Sequence, residues 1–156
     1  MFFSAPQLKR DSLGSRLDPV PLVENAPALT KVFGKWPTFH DAEVLRIVLD
    51  RAGDDGPTIE VQIHVFAMTS RVDESGHYVL ENHRLVTLRF TEVELLGMAW
   101  INRQNVLEEL IISDLDPLTH DGRNILVELV TSYGVGATLE CKRALVLDVQ
   151  PFEAAT

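Results

Sequence analysis

The residues best suited to acid–base chemistry are His40 and Asp41, which are adjacent in the chain. A carboxylate beside an imidazole can orient the ring and stabilise its protonated form, as a general acid or base requires. Neighbouring residues of a strand point to opposite faces of a sheet, so the two side chains can cooperate only where the backbone turns. We favour a structural role, with the aspartate capping a turn and the histidine half-buried and making one hydrogen bond. A small enzyme that uses His40 and Asp41 is the alternative.

Motifs for metal binding and nucleophilic catalysis are missing from the sequence. Four further histidines are spread along the chain: His64, His77, His83 and His120. None has the close spacing that presets zinc ligands, and there is no phosphate-binding glycine loop, dinucleotide fingerprint or nucleophile elbow. The single cysteine, Cys141, lies on the apolar side of an alternating segment, which indicates a buried, unreactive thiol. We therefore predict a protein that is not an enzyme and that uses no metal or cofactor.

The elements that must position these residues are mainly β-strands. Apolar and polar residues alternate over residues 59–65 and again over 86–91. This period of two is typical of strands that have one buried and one solvated face. A turn rich in Gly and Asp at residues 53–57 separates the first of these segments from an apolar alternation over 45–50, which predicts a hairpin.

The second half of the chain continues in the same pattern. Residues 125–129 pair by pattern with 137–141, and Gly97 suggests a β-bulge. Residues 69–82 are predicted to form a polar loop, with a brief strand at 78–80 as the alternative. No strand alternates with a long helix, which disfavours a parallel doubly wound sheet. We predict a mainly β (α+β) fold of about seven or eight antiparallel strands in meander order, with one short N-terminal helix.

The N-terminal helix is predicted from near-helical spacing over residues 23–33, with Gly34 placed to end it. Residues 1–20 are polar, lack a periodic pattern and precede a proline, so they are predicted to be a loosely ordered arm. Residues 21–152 then form one domain, which a chain of 156 residues favours.

The chain is acidic, with 14 Lys and Arg against 23 Asp and Glu and a formal charge of −9. This charge repels phosphate backbones and anionic lipid heads, so nucleic acid and membranes are not expected as partners. A basic protein would be attracted, although acidity also serves solubility alone. The lone cysteine, the lack of a signal sequence and the lack of an apolar run of about 18 residues predict a cytoplasmic location.

Several segments together resemble one known family. They are VFGKWPTFHDAEV at 32–44, IVLDR at 47–51, DGPT at 55–58, VTLRF at 86–90 followed by Val93, SYG at 132–134 and ECK at 140–142. In this order, over roughly residues 22–150, they resemble the immunity protein 50 family, found among the antidotes of bacterial polymorphic toxin systems. The resemblance implies a small cytoplasmic protein that binds and neutralises a cognate toxin domain, and it implies no catalytic residues.

A toxin that attacks nucleic acid would present a basic cleft, which an acidic protein could cover by charge complementarity. We select exposed acids, interface-type aromatics and the His–Asp pair as candidate partner-binding residues: Trp36, His40, Asp41, Asp54, Asp55, Asp73, Glu74, Trp100, Asp114 and Asp116. Either tryptophan could instead belong to the core. A homodimer or larger assembly of this chain is a further alternative, for which an exposed apolar sheet surface would be the sign.

Overall fold

The fold is built almost entirely from strands. A computed structural model describes residues 18–115 and 121–153, and within them lie nine strands, one helix (α1, Pro27–Phe33) and a short 3-10 turn (Val20–Leu22). The strands are, in chain order, β1 (Val23–Glu24), β2 (Glu43–Asp50), β3 (Thr58–Val72), β4 (Tyr78–Thr91), β5 (Glu94–Ala99), β6 (Val106–Asp114), β7 (Ile125–Tyr133), β8 (Gly136–Cys141) and β9 (Arg143–Pro151). The predicted mainly β fold is confirmed, with nine strands in place of seven or eight.

The strands form one open mixed sheet in the order β1-β9-β4-β3-β2-β6-β7-β8-β5. Strand β1 runs parallel to β9, and the other neighbours are antiparallel. The predicted meander therefore holds within β2–β4 and within β6–β8, but it is wrong for the whole chain. After β4 the chain crosses to the far edge and pairs β5 with β8, because Glu92 takes a left-handed conformation (φ 51°) and redirects the backbone. Alternation reveals strands but does not reveal their partners.

The core lies between two halves of this sheet. Strands β2 and β6 share the single residue pair Glu43 and Val106, so the sheet is nearly split there. Side chains from both halves line one internal cavity of about 10 Å³, too small to hold a ligand. The largest fully buried side chains are Phe39, Phe90, Leu29, Ile63, Leu88, Leu107 and Leu139. Burial of these apolar side chains is the main favourable contribution to folding.

The helix is shorter than predicted. Its first residue is Pro27, a position where the missing N–H of proline leaves no hydrogen bond unmade. Asn25 has a left-handed backbone (φ 59°), which separates the helix from β1 and makes the predicted start at residue 23 wrong. The predicted C-cap is confirmed, because Gly34 ends the helix with φ 76°. In the described parts of the chain, no helix is long and apolar enough to cross a membrane.

Most of the polar segment 69–82 is strand, so the predicted loop is wrong except for a short turn, and the strand suggested at 78–80 belongs to β4. Strand β3 continues to Val72 and β4 resumes at Tyr78, so the two strands form one long hairpin with a short turn. The carboxylate of Asp73 accepts hydrogen bonds from the backbone N–H groups of Ser75 and His77, which closes that turn. The backbone N–H and C=O groups of these two strands form hydrogen bonds with each other, so exposed strands can form without an apolar face. The polar sequence therefore gave no sign of them.

Candidate functional site

The structure brings His40 and Asp41 together in a turn before β2. Asp41 and the preceding Phe39 both have left-handed backbones, with φ 63° and 58°. The His40 Nδ1 lies 3.1 Å from the carbonyl oxygen of Glu108, which accepts a hydrogen bond from it. The Nε2 of His40 lies 3.6 Å from Asp41 Oδ2. Both side chains are largely exposed to solvent. The predicted hydrogen bond of His40 is present, but its predicted half-buried state is wrong, because 58% of the side chain is exposed. A contact this exposed between His40 and Asp41 contributes little energy.

A groove of about 700 Å³ runs between β6 and the segment that follows α1. Trp36 and Pro37 line one side and residues 109–113 line the other. Neither His40 nor Asp41 lines it. The internal cavity is not lined by them either, so neither of these two spaces gives His40 the deep pocket that the enzyme alternative requires.

The histidines do not assemble a metal site in the described ranges. No group of three or more His, Cys, Asp or Glu side chains is placed to hold an ion there. His120 lies outside the described residues. Cys141 is buried, as predicted, and burial raises the pKa of its thiol to about 12. The thiol therefore stays protonated and unreactive near neutral pH.

Two histidines that sequence reasoning did not connect form a partly buried pair. His64 Nε2 and His83 Nδ1 are 2.9 Å apart on adjacent strands, so one ring donates a hydrogen bond and the other accepts it. The His64 ring also packs against Phe152, with ring centroids 4.4 Å apart. Burial, and secondly the neighbouring His83, lower the pKa of His64 from its ordinary value. The cross-strand neighbour of His64 on β2 is Glu43.

We expect this pair to make stability depend on pH. Because the pKa of His64 is lowered in the folded state, the unfolded chain takes up the proton first as pH falls. The free energy of unfolding should therefore be constant above the ordinary histidine range and decrease below about pH 6.5. Thermal unfolding between pH 5 and 8 measures this, and His64→Phe should flatten the decrease. His77→Gln, at a side chain that is 81% exposed, is the control; an unchanged profile in His64→Phe would contradict the expectation.

Three of the predicted acids, Asp54, Asp55 and Asp114, lie at one end of the domain together with Glu92, which was not predicted. Asp54 and Asp55 lie in the turn between β2 and β3, Glu92 lies between β4 and β5, and Asp114 ends β6. Backbone hydrogen bonds connect these loops in series: Val93 N–H to Pro57 O, Lys142 N–H to Thr91 O, Asn124 N–H to Cys141 O and Leu115 N–H to Asn124 O. We call Asp54, Asp55, Glu92 and Asp114 the acidic end. Its side chains are exposed, and Asp55 accepts a hydrogen bond from Arg89 at 3.2 Å.

Two other predicted acids, Asp73 and Glu74, are not at this end. Asp73 and Glu74 lie at the tip of the β3–β4 hairpin, beyond the 15 residues of β3 that begin near the acidic end. At about 3.3 Å a residue, this separates the two groups by roughly 45 Å. Asp116 lies outside the described residues. One partner domain of ordinary interface size would not contact both ends of the hairpin.

The two tryptophans have different environments. Trp36 is half-buried, packs against the core and contacts the Phe39 ring at a centroid distance of 5.7 Å. Trp100, directly after β5, is 79% exposed. Its backbone is left-handed (φ 70°), an uncommon conformation for a bulky residue. Trp36 therefore contributes to the core, whereas Trp100 is presented to solvent.

A network of asparagine side chains holds the Trp100 loop, and sequence reasoning missed it. Asn105 is buried, and its Oδ1 accepts hydrogen bonds from the N–H groups of Asn102 and Val135, at 3.0 and 3.1 Å. Its Nδ2 donates to the Asn102 carbonyl, and Asn102 Nδ2 donates to the Trp100 carbonyl at 3.1 Å. Gly134 packs so closely on Asn105 that a Cβ there would lie 2.8 Å from the Asn105 Cα. In the sequence, the asparagines of segment 102–105 are the feature from which a hydrogen-bonded loop could have been predicted.

The start of β5 is fixed by a second polar cluster. The guanidinium of Arg123 is largely buried and contacts the carboxylates of Glu94 and Asp121. Its Nε lies 3.6 Å from Oε2 of Glu140, the residue paired with Glu94 on β8. These contacts hold one end of β5 against β8, while the asparagine network holds the loop at its other end.

Comparison with known families agrees with the resemblance in the sequence. The model of the family described as Immunity protein 50 matches residues 25–152. Comparisons with curated proteins and with solved structures gave no match. The matched region begins just before α1, includes strands β2 to β9, and covers most of the chain. This chain belongs to the Immunity protein 50 family.

Proposed function

We propose that this protein binds and neutralises a cognate bacterial toxin domain, in the cytoplasm of the cell that makes both. The observation that carries the proposal is the family match over residues 25–152. Inhibition requires only that the protein cover or distort the toxin's active site, so no catalytic residue of its own is needed. The exposed His40–Asp41 pair and the small internal cavity are consistent with a protein that acts by binding.

The charge of the protein favours a basic partner. The chain carries a formal charge of −9, and the acidic end gives part of this charge a location. A toxin that cleaves or modifies nucleic acid needs a basic surface to bind phosphates. Opposite charges would increase the rate of encounter and select the correct partner more than they would increase final affinity. The acidic end is therefore the part of the surface that we assign to first contact.

A growth assay tests the proposal. The toxin domain encoded next to this chain is called the neighbouring toxin domain. It is expressed alone and together with this protein. We expect growth to stop with the toxin alone and to recover with both, and the two proteins to purify as one complex. A toxin from an unrelated system is the control and should not be neutralised. Growth arrest that persists with both proteins expressed would contradict the proposal.

A further inference from the structure

Strand β5 is an exposed edge with an unusual composition. All six of its residues are exposed, and β5 pairs only with β8 among the described strands. After Glu94 the strand carries no charge as far as Ile101. Natural proteins usually protect such an edge with charged residues, proline or a covering element, because unpaired N–H and C=O groups recruit another strand. An edge left apolar and open is suited to binding an extended segment of another chain.

The side chains of β5 divide between the core and the solvent. Leu95 and Met98 line the internal cavity and are 36% and 39% exposed, so these two side chains border the core. Leu96 is 43% exposed and lies in the register shift between Leu95 and Gly97, which confirms the predicted bulge. Trp100 and Ile101 continue the apolar surface beyond the strand. We call Leu96, Trp100, Ile101 and Tyr133, the last of which ends β7, the edge patch.

The edge patch is held in place before any partner arrives. The carbonyl of Trp100 is fixed by Asn102, which is itself bonded to the buried Asn105. The same Asn105 holds the connection after Tyr133 through the Val135 N–H. Because these hydrogen bonds already fix the backbone at Trp100, the backbone there loses little conformational entropy on binding. Tryptophans in such positions commonly dominate the affinity of an interface.

We propose that β5 and the edge patch bind an extended segment of the toxin domain, which adds a strand to the sheet and covers Trp100. This inference rests on the proposed function. The segment should carry apolar side chains opposite Leu96 and Trp100. At the β5 start it should carry Lys or Arg, because the acidic end, including Glu92, adjoins that end of the strand.

Charge selects this occupant over a second copy of the chain. Two copies would each bring a formal charge of −9, so their approach is opposed at low ionic strength. A basic toxin domain would instead be attracted by the same negative charge. The only charge within β5 is Glu94, and Arg123 already contacts it, so the apolar part of the edge stays uncharged. The acidic end can then attract the partner while the edge patch provides the lasting contacts.

The test uses the full chain and the neighbouring toxin domain, with binding measured by calorimetry. Trp100→Asn removes the indole and suits the left-handed backbone, which asparagine tolerates better than most residues. We expect the Kd of this variant to rise at least about 30-fold, as for a tryptophan that dominates an interface. Tyr133→Ala should also weaken binding, whereas Tyr78→Ala should not. Tyr78 and Tyr133 are both 59% exposed, but Tyr78 lies on the β3–β4 hairpin.

Amide hydrogen exchange gives a second readout. We expect exchange in β5 to slow when the toxin domain binds, because a new strand would take up its free backbone groups. A Trp100→Asn variant that binds as tightly as the unmodified protein would overturn the inference and leave toxin binding intact. A dimer of the unmodified protein that Trp100→Asn converts to monomer would assign the edge to a second copy and also overturn it. If the unmodified protein forms no complex with the neighbouring toxin domain, the proposed function would be contradicted as well.

Discussion

Replacing Asn105 by alanine should lower the free energy of unfolding by about 3 kcal/mol. The substitution removes the acceptor for the N–H groups of Asn102 and Val135 and the donor to the Asn102 carbonyl. The Val135 N–H is buried, and a buried group left without a partner costs about 1–3 kcal/mol, to which the partly buried groups of Asn102 add. In a domain of this size, the loss corresponds to a decrease in Tm of about 6–12 °C, which calorimetry or circular dichroism can measure.

The neighbouring residue provides a control. Gln104 is exposed, and Gln104→Ala should change stability by no more than about 0.5 kcal/mol. Asn105→Asp keeps the acceptor oxygen and removes the donor, so it should give an intermediate loss at neutral pH. An Asn105→Ala variant as stable as Gln104→Ala would show that the network does not hold the Trp100 loop.

Reversing charges at the acidic end should slow toxin association about tenfold at low salt. Asp54→Lys combined with Asp114→Lys changes the charge by four units at the end assigned to first contact. Long-range attraction between opposite charges sets the encounter rate, so the change should act on association more than on dissociation. Stopped-flow or surface-binding kinetics with the neighbouring toxin domain measure both rates.

A matched pair of substitutions separates local from total charge. Glu74→Lys with Asp148→Lys changes the charge by the same four units at exposed positions away from the acidic end. We expect a smaller effect on association from this pair, and the difference should decrease as salt is added. Equal slowing by both pairs would mean that only net charge matters, and that the acidic end has no special place in binding.

Local patterns were sufficient to predict many of the individual elements. The alternation around Ile63 placed β3, and Gly34 marked the end of the helix. The buried state of Cys141 followed from its alternating neighbours. These features depend on residues close in sequence, where side-chain period and backbone freedom decide the conformation.

Features that depend on distant pairing could not be predicted in the same way. The register of the β3–β4 hairpin places His64 beside His83, and that register follows from a turn whose position the polar sequence concealed. The partner of β5 depends on the backbone turn at Glu92. Sequence left Trp100 undecided between core and surface, because its exposure is set by the Asn105 network.

The most direct test of toxin neutralisation is the activity of the purified neighbouring toxin domain, titrated with this protein. We predict that activity falls to the background level at a ratio of one molecule of this protein to one of toxin, with a stable complex on size exclusion. Full toxin activity in the presence of a large excess of this protein, with no complex formed, would contradict it.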